Sequence, residues 1–246
     1  MNQSLTRQFF RFTIPTILSM VAFSLYTLVD GIFVAKGVGE TALAAVNLSS
    51  PYNSVMFAAG LLLAVGMSTT IAIRLGNGKH HEASSLFTRN LIVAVVVSIV
   101  ISVLTLLNLR SVAQFLGAEG DTLGYVMEYV GGVSPFAVFF ICSYNMEILV
   151  KTDGTPLLST IGVSLAGVTN LVLDWLFVMI FHWGVRGAAV ATGLAQVVST
   201  VLYLYYFAKH SKQLHFVKVS LKPSEFKIYR RTLPLGVADS ITEMSN

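Results

Sequence analysis

A chain of 246 residues with 54% hydrophobic and 11% charged side chains and a mean hydropathy of +0.73 is not a soluble globular domain, since those carry about 25% charged residues. The formal charge of +4 would suit a nucleic-acid partner only if Lys and Arg gathered on one folded face. They fall between apolar runs instead, so no nucleic acid is expected, and the single Cys142, inside such a run, rules out an intramolecular disulfide.

The expected architecture is an all-α polytopic membrane protein, a six-transmembrane-helix bundle followed by the start of a seventh helix. Helix 1 runs from about Phe12 to Ala35 behind Arg7 and Arg11, far longer than a signal-peptide core of roughly 7 to 15 residues. Helix 2 takes Pro51 to about Ile73, with Thr41 to Ser50 either prolonging it past a kink at Pro51 or lying at the interface. Helix 3 covers about Phe87 to Leu109, helix 4 Leu123 to Ile148, helix 5 Pro156 to Phe181 and helix 6 Gly187 to Ala208. Each exceeds the roughly 20 residues needed to cross a bilayer. Residues 1–208 then form an N-terminal bundle, 209–227 a basic linker and 228–246 the opening of a second bundle.

Counted by alternate loops, one side collects Arg7, Arg11, Arg74, Lys79, Arg89, Lys151, Lys209, Lys212, Lys218, Lys222, Lys227, Arg230 and Arg231, against Lys36, Arg110 and Arg186 on the other. The positive-inside rule makes the N-terminus cytoplasmic and the linker a cytoplasmic segment. Arg230-Arg231-Thr232-Leu233-Pro234 repeats the Arg, Thr and Pro positions of Arg11-Phe12-Thr13-Ile14-Pro15. Six spans return the chain to its starting side, so a copy beginning there is a parallel repeat, as in transporters built from two like-oriented bundles. The chain is therefore expected to be the first half of a longer protein.

Ionisable groups within the apolar runs are the functional candidates, because a carboxylate at membrane depth costs on the order of 3 kcal/mol and needs a partner, a proton, an ion or water. Asn170 and Asp174, four apart, share one helical face. Counted from the outer helix ends, Asp30, Tyr129, Asp174 and Thr192 lie about five to eight residues deep and Asn170 a turn deeper, a common level roughly 8 to 15 Å below the outer surface. Singly, Tyr129 also suits an interfacial anchor, Thr192 in the run Gly187 to Gly193 close helix packing, and Asn170 interhelical hydrogen bonding. Two acids within spans are harder to account for structurally.

Other polar residues have simpler readings. Glu128 points to the outer interface, and Glu147 with Lys151 makes an i,i+4 pair. Asp239 and Glu243 share a face of helix 7 and would serve a partner lobe. His80, His81, His182, His210 and His215 lie in loops and turns without a metal-ligand arrangement. The absence of a Walker-type glycine loop disfavours an ATP-driven pump within this chain.

Helix 1 carries TLVDGIFVAKGVG, helix 4 YVGGVSPF followed by LVKTDGTPLLST, helix 5 TNLVLDWLFV, and the turn into helix 6 WGVRGAAVATGLAQ. Over the whole chain these resemble the multidrug and toxic compound extrusion (MATE) transporters, particularly their prokaryotic DNA-damage-inducible branch. The Asn-x-x-x-Asp helix followed by Gly-Val-x-Gly-Ala-Ala-x-Ala-Thr is the specific part. The resemblance implies the N-lobe of a twelve-helix, two-bundle antiporter of the prokaryotic inner membrane. Such a protein exports drug-like, often cationic compounds in exchange for Na⁺ or H⁺ and needs no cofactor besides that ion. It further implies that Asp30, Tyr129, Asn170, Asp174 and Thr192 form the cation or proton site, with Asp30, Asn170, Asp174 and Thr192 as ligands if the ion is Na⁺. Pro15 matches the helix-1 proline at which bending has been proposed to accompany protonation. Lys151 stands where many members have Arg, and only one of the two lobes is present. The rival readings are a lipid-linked oligosaccharide flippase of the same superfamily, which would favour a cationic cavity, and a non-transporting half-bundle that acts only by association.

Overall fold

The computed structural model describes residues 28–220 and 222–244, with 13, 14, 17, 21 and 24 as isolated helical positions before them. Pro15, Arg7 and Arg11 lie outside the described residues, as do the side chains of Asp239 and Glu243. Nine α-helices follow in order among the described residues: α1 (28–37), α2 (Glu40–Gly76), α3 (His80–Leu107), α4 (Leu109–Phe115), α5 (Gly120–Val133), α6 (Ala137–Thr152), α7 (Pro156–Asp174), α8 (Gly184–Lys209) and α9 (Tyr229–Met244). A 3₁₀ turn at Ser134–Phe136 joins α5 to α6, a π turn at Trp175–Ile180 prolongs α7, and a second 3₁₀ turn at Pro223–Ile228 leads into α9. Five stretches are long and apolar enough to cross a membrane: α2, α3, α5 with α6, α7 with its π turn, and α8. They are the predicted helices 2 to 6.

α7 shows how the bundle is sorted. Leu157, Ile161, Leu165, Val168, Val172 and Trp175, spaced three and four apart, are all exposed. Its buried residues are Pro156, Ser159, Thr160, Gly162, Ala166, Gly167, Asn170 and Asp174. In water this inversion would be unstable; in hydrocarbon the large aliphatic side chains meet lipid while small and polar ones pack inward.

Small residues set how closely the helices approach. A Cβ added at Gly132 of α5 would come within 2.8 Å of the Ala189 Cβ on α8, and one added at Gly162 of α7 would collide with the Tyr203 ring on α8. Tyr203 Oη also donates to the Ser159 carbonyl at 3.1 Å. Gly162→Leu is therefore expected to force α7 from α8 and cost about 1 to 3 kcal/mol, read as a lower unfolding midpoint in detergent. An unchanged midpoint would mean that Tyr203 moves aside freely.

The elements differ from the sequence expectation where proline or local winding intervenes. α2 is one continuous helix with Pro51 inside it, the first of the two alternatives for Thr41 to Ser50. At about 1.5 Å per residue it exceeds a ~30 Å hydrocarbon core. The predicted single helix from Leu123 to Ile148 is one span, Gly120–Thr152, whose winding tightens to a 3₁₀ turn at Ser134–Phe136, where Pro135 has no N–H to donate. The turn is held by Tyr52 Oη to Ser134 Oγ at 2.8 Å and by Ser102 Oγ donating to the Ser134 carbonyl at 2.8 Å. The short α4 was not anticipated; its Phe115 stands 90% exposed, as an aromatic anchor at the bilayer boundary does.

The basic segment after α8 is docked on the bundle end that carries the basic loops. Fully buried Asp153, in the turn between α6 and α7, accepts from Tyr206 Oη (2.6 Å) and the backbone N–H groups of Lys212 (2.8 Å), Gln213 (2.9 Å) and Leu214 (2.8 Å). Further on, His215 N donates to Ser84 Oγ at 3.2 Å, Val217 N to Thr88 Oγ1 at 3.2 Å, and Arg89 pairs with Glu225 at 2.9 Å. α9 then packs on α2: the Thr232 carbonyl lies against Gly66, Gly236 lies against Leu62, and Ser240 Oγ donates to the Ala58 carbonyl at 3.2 Å. The spacing of four on both helices makes a seam of close backbone approach.

Candidate functional site

Near the other end of the bundle, the two intramembrane acids meet. Gly37 of α1 sits against the π turn of α7, where an added Cβ would lie 2.6 Å from Val178 Cγ1 and 3.2 Å from Met179 Sδ. Asp30, seven residues earlier, shares that face of α1 and so points at α7. There its carboxyl comes within hydrogen-bonding reach of Asp174, with the Asn170 amide beside them. Two ionised carboxylates have no proton to share, so this approach becomes a hydrogen bond only when one is protonated. Otherwise both Asp174 oxygens are buried without a donor.

The remaining predicted residues close around this pair. Asn170 Nδ2 donates to Thr192 Oγ1 of α8 at 3.4 Å, and Thr192 Oγ1 donates to the Ala188 carbonyl at 2.9 Å. The Thr192 hydroxyl also lies beside Tyr129 of α5, so it serves the polar cluster as well as the small-residue packing of α8. Asn170, Asp174 and Tyr129 are all buried. The structure thus brings together all five residues that the sequence placed at one depth. Glu128 is exposed and beside Arg186 at a separate 420 Å³ cavity, and Glu147 pairs with Lys151 at 2.9 Å.

Two further residues escaped the sequence reading. Asn53 of α2 donates through Nδ2 to Tyr129 Oη at 3.4 Å; an amide directly after Tyr52 in an apolar run was the available signal. Asp153 lay in the quoted Lys-Thr-Asp-Gly-Thr stretch, where an Asp-Gly pair reads as an ordinary turn, and Gly154 does adopt the left-handed φ of 88°.

The chemistry of the cluster follows from its unpaired atoms. Among the described residues, six buried side-chain polar atoms lack a hydrogen-bond partner, and five belong here: Asp30 Oδ1, Asn53 Oδ1, Asn170 Oδ1 and both Asp174 oxygens. Every one is an oxygen, and no ion pair between the described residues reaches either acid. Buried orphan acceptors cost about 1 to 3 kcal/mol each, and two like charges this close add repulsion. A proton or a small cation relieves both. The π winding begins directly after Asp174, a local distortion frequent at functional sites.

A bundle of long apolar helices that holds two facing acids in its interior has the form of a polytopic membrane protein with an internal polar site. Residues 15–176 match the profile of the MatE family. The multidrug export protein MepA of Staphylococcus saprophyticus is 24% identical over 210 residues, covering 85% of this chain and 47% of its own length. The crystal structure of MATE in complex with MaD3S aligns at a TM-score of 0.84 and 28% identity, over 96% of this chain and 53% of the other. An outward-facing multidrug resistance MATE transporter of the MOP superfamily aligns at 0.83 and 28% identity, over 96% and 52%. The chain belongs to the MatE family. It spans about half the length of the relatives it matches.

Proposed function

We propose that this chain is the N-terminal lobe of a secondary active antiporter that exports drug-like, often cationic compounds in exchange for Na⁺ or H⁺, coupled through Asp30 and Asp174. The observation that carries this reading is the facing carboxyl pair of α1 and α7 among buried oxygens without donors. When water reaches the pair, a proton or Na⁺ cancels its charge; the neutral pair then tolerates a drier, more closed bundle. Ion binding thus biases a two-state equilibrium that carries substrate the other way. Tyr129, Asn170 and Thr192 complete the site, and Pro15 marks where helix 1 would bend. The basic end faces the cytoplasm of a prokaryotic cell, by the excess of Lys and Arg there. An acidic site also speaks against a lipid diphosphate as cargo.

The test is export of a cationic dye by the transporter that carries this lobe, reconstituted in vesicles with an imposed Na⁺ gradient, pH gradient or neither. Export driven by one gradient and collapsed by its ionophore is the expected result. Equal dye movement in all three conditions would remove ion coupling.

A further inference from the structure

Resting on that reading of the acidic pair, we infer that Asn53 is a ligand of the coupling-ion site, with Oδ1 as an oxygen for a Na⁺-sized cation and Nδ2 holding the Tyr129 hydroxyl in place. The two atoms of one amide do different things. Nδ2 is engaged with Tyr129 Oη at 3.4 Å, while Oδ1 is buried and accepts from nothing. An asparagine oriented only to support a tyrosine would leave its carbonyl in a costly position. One facing an ion would present it.

The oxygen count separates a cation from a proton. A proton shared between Asp30 and Asp174 makes one hydrogen bond and leaves the carbonyl oxygens of Asn53 and Asn170 as they are. A single hard cation draws on several oxygens at once, neutral amide carbonyls included. The five orphan oxygens come from α1, α2 and α7, so the ion would be held by three helices.

The choice of helix gives Asn53 a second consequence. α2 presents Asn53 to the site on one face and Ala58, Leu62 and Gly66 to α9 on another. At 100° per residue, Leu62 lies half a turn of rotation away from Asn53. A ligand on α2 therefore places ion binding on the same rigid element that contacts the start of the second bundle.

The experiment is saturable ²²Na⁺ binding to the purified transporter that carries this lobe, in detergent at constant ionic strength with choline, for wild type, Asp174→Asn, Asn53→Leu, Asn53→Asp and Tyr129→Phe. Binding by wild type, its loss in Asp174→Asn, at least a tenfold weaker Kd in Asn53→Leu and its restoration in Asn53→Asp are expected. Tyr129→Phe, which leaves every carbonyl ligand in place, weakens binding less than Asn53→Leu. Unfolding midpoints without Na⁺ report whether each variant is folded. Unchanged Na⁺ affinity in a folded Asn53→Leu overturns the role of Asn53 while leaving the acidic site standing. No saturable Na⁺ binding by wild type also overturns it, and export driven by a pH gradient would then preserve the antiport reading. Full binding by Asp174→Asn would instead remove the acidic site itself.

Discussion

In the antiporter proposed above, Asp174→Asn is expected to abolish gradient-driven export, by about 100-fold or more, while the bundle stays folded. The amide matches the carboxyl in shape but is neutral in every state, so the site loses the change of charge that an entering ion or proton brings about. Both Asp174 oxygens are buried without donors. Replacing one of two facing acids removes a buried charge and its repulsion, which leaves stability unchanged or improved. The diagnostic combination is therefore an equal or higher unfolding midpoint with no coupled transport. Wild-type export in this variant would place coupling elsewhere, and loss of transport with a fallen midpoint would trace the defect to folding.

Asp153→Ala is expected to release the segment after α8. In the native chain the carboxylate gathers three consecutive backbone N–H groups and the Tyr206 hydroxyl. Charge-assisted hydrogen bonds of this kind contribute about 1.5 to 3 kcal/mol each where they are not recovered by water. With the freed segment rehydrated, a net loss of about 2 to 3 kcal/mol shifts docking by about 30- to 150-fold. Limited trypsinolysis reads this directly, because Lys212 and Lys218 lie in the docked stretch. Cleavage there should accelerate at least tenfold in Asp153→Ala and less in Asp153→Asn, which keeps one acceptor. Equal cleavage in all three would show that Arg89–Glu225 and the contacts to Ser84 and Thr88 hold the segment without Asp153.

The legible part of the site was its level in the membrane. Asp30, Tyr129, Asn170, Asp174 and Thr192 could be placed at one depth because rise per residue is constant in a helix and an acid in an apolar run is conspicuous. Asn53 was not conspicuous. Uncharged amides are common in membrane helices, and its relevance depends on facing Tyr129, 76 residues away. Asp153 failed for the opposite reason, since an Asp-Gly turn already has a sufficient local explanation. The expected kink at Pro51 did not end α2, because a membrane helix is carried through a proline by its neighbours. Pro135, by contrast, tightens one turn of its span to 3₁₀ winding.

The sequence by itself determined the class of protein and the spans of helices 2 to 6. Each of these follows from local composition: a membrane helix satisfies its backbone hydrogen bonds within its own segment, so length and hydropathy suffice. Only the tertiary structure decided which faces meet: Asp30 on Asp174, Asn53 on Tyr129, Asp153 under the returning chain, and Ser240 on Ala58 across 182 residues. Those contacts depend on the rotation of each helix about its axis, and that is set by close packing at glycines such as Gly37, Gly66, Gly132 and Gly162. In lipid, hydropathy drives insertion but not the choice of neighbour, which falls to packing and to the few polar groups that must find partners.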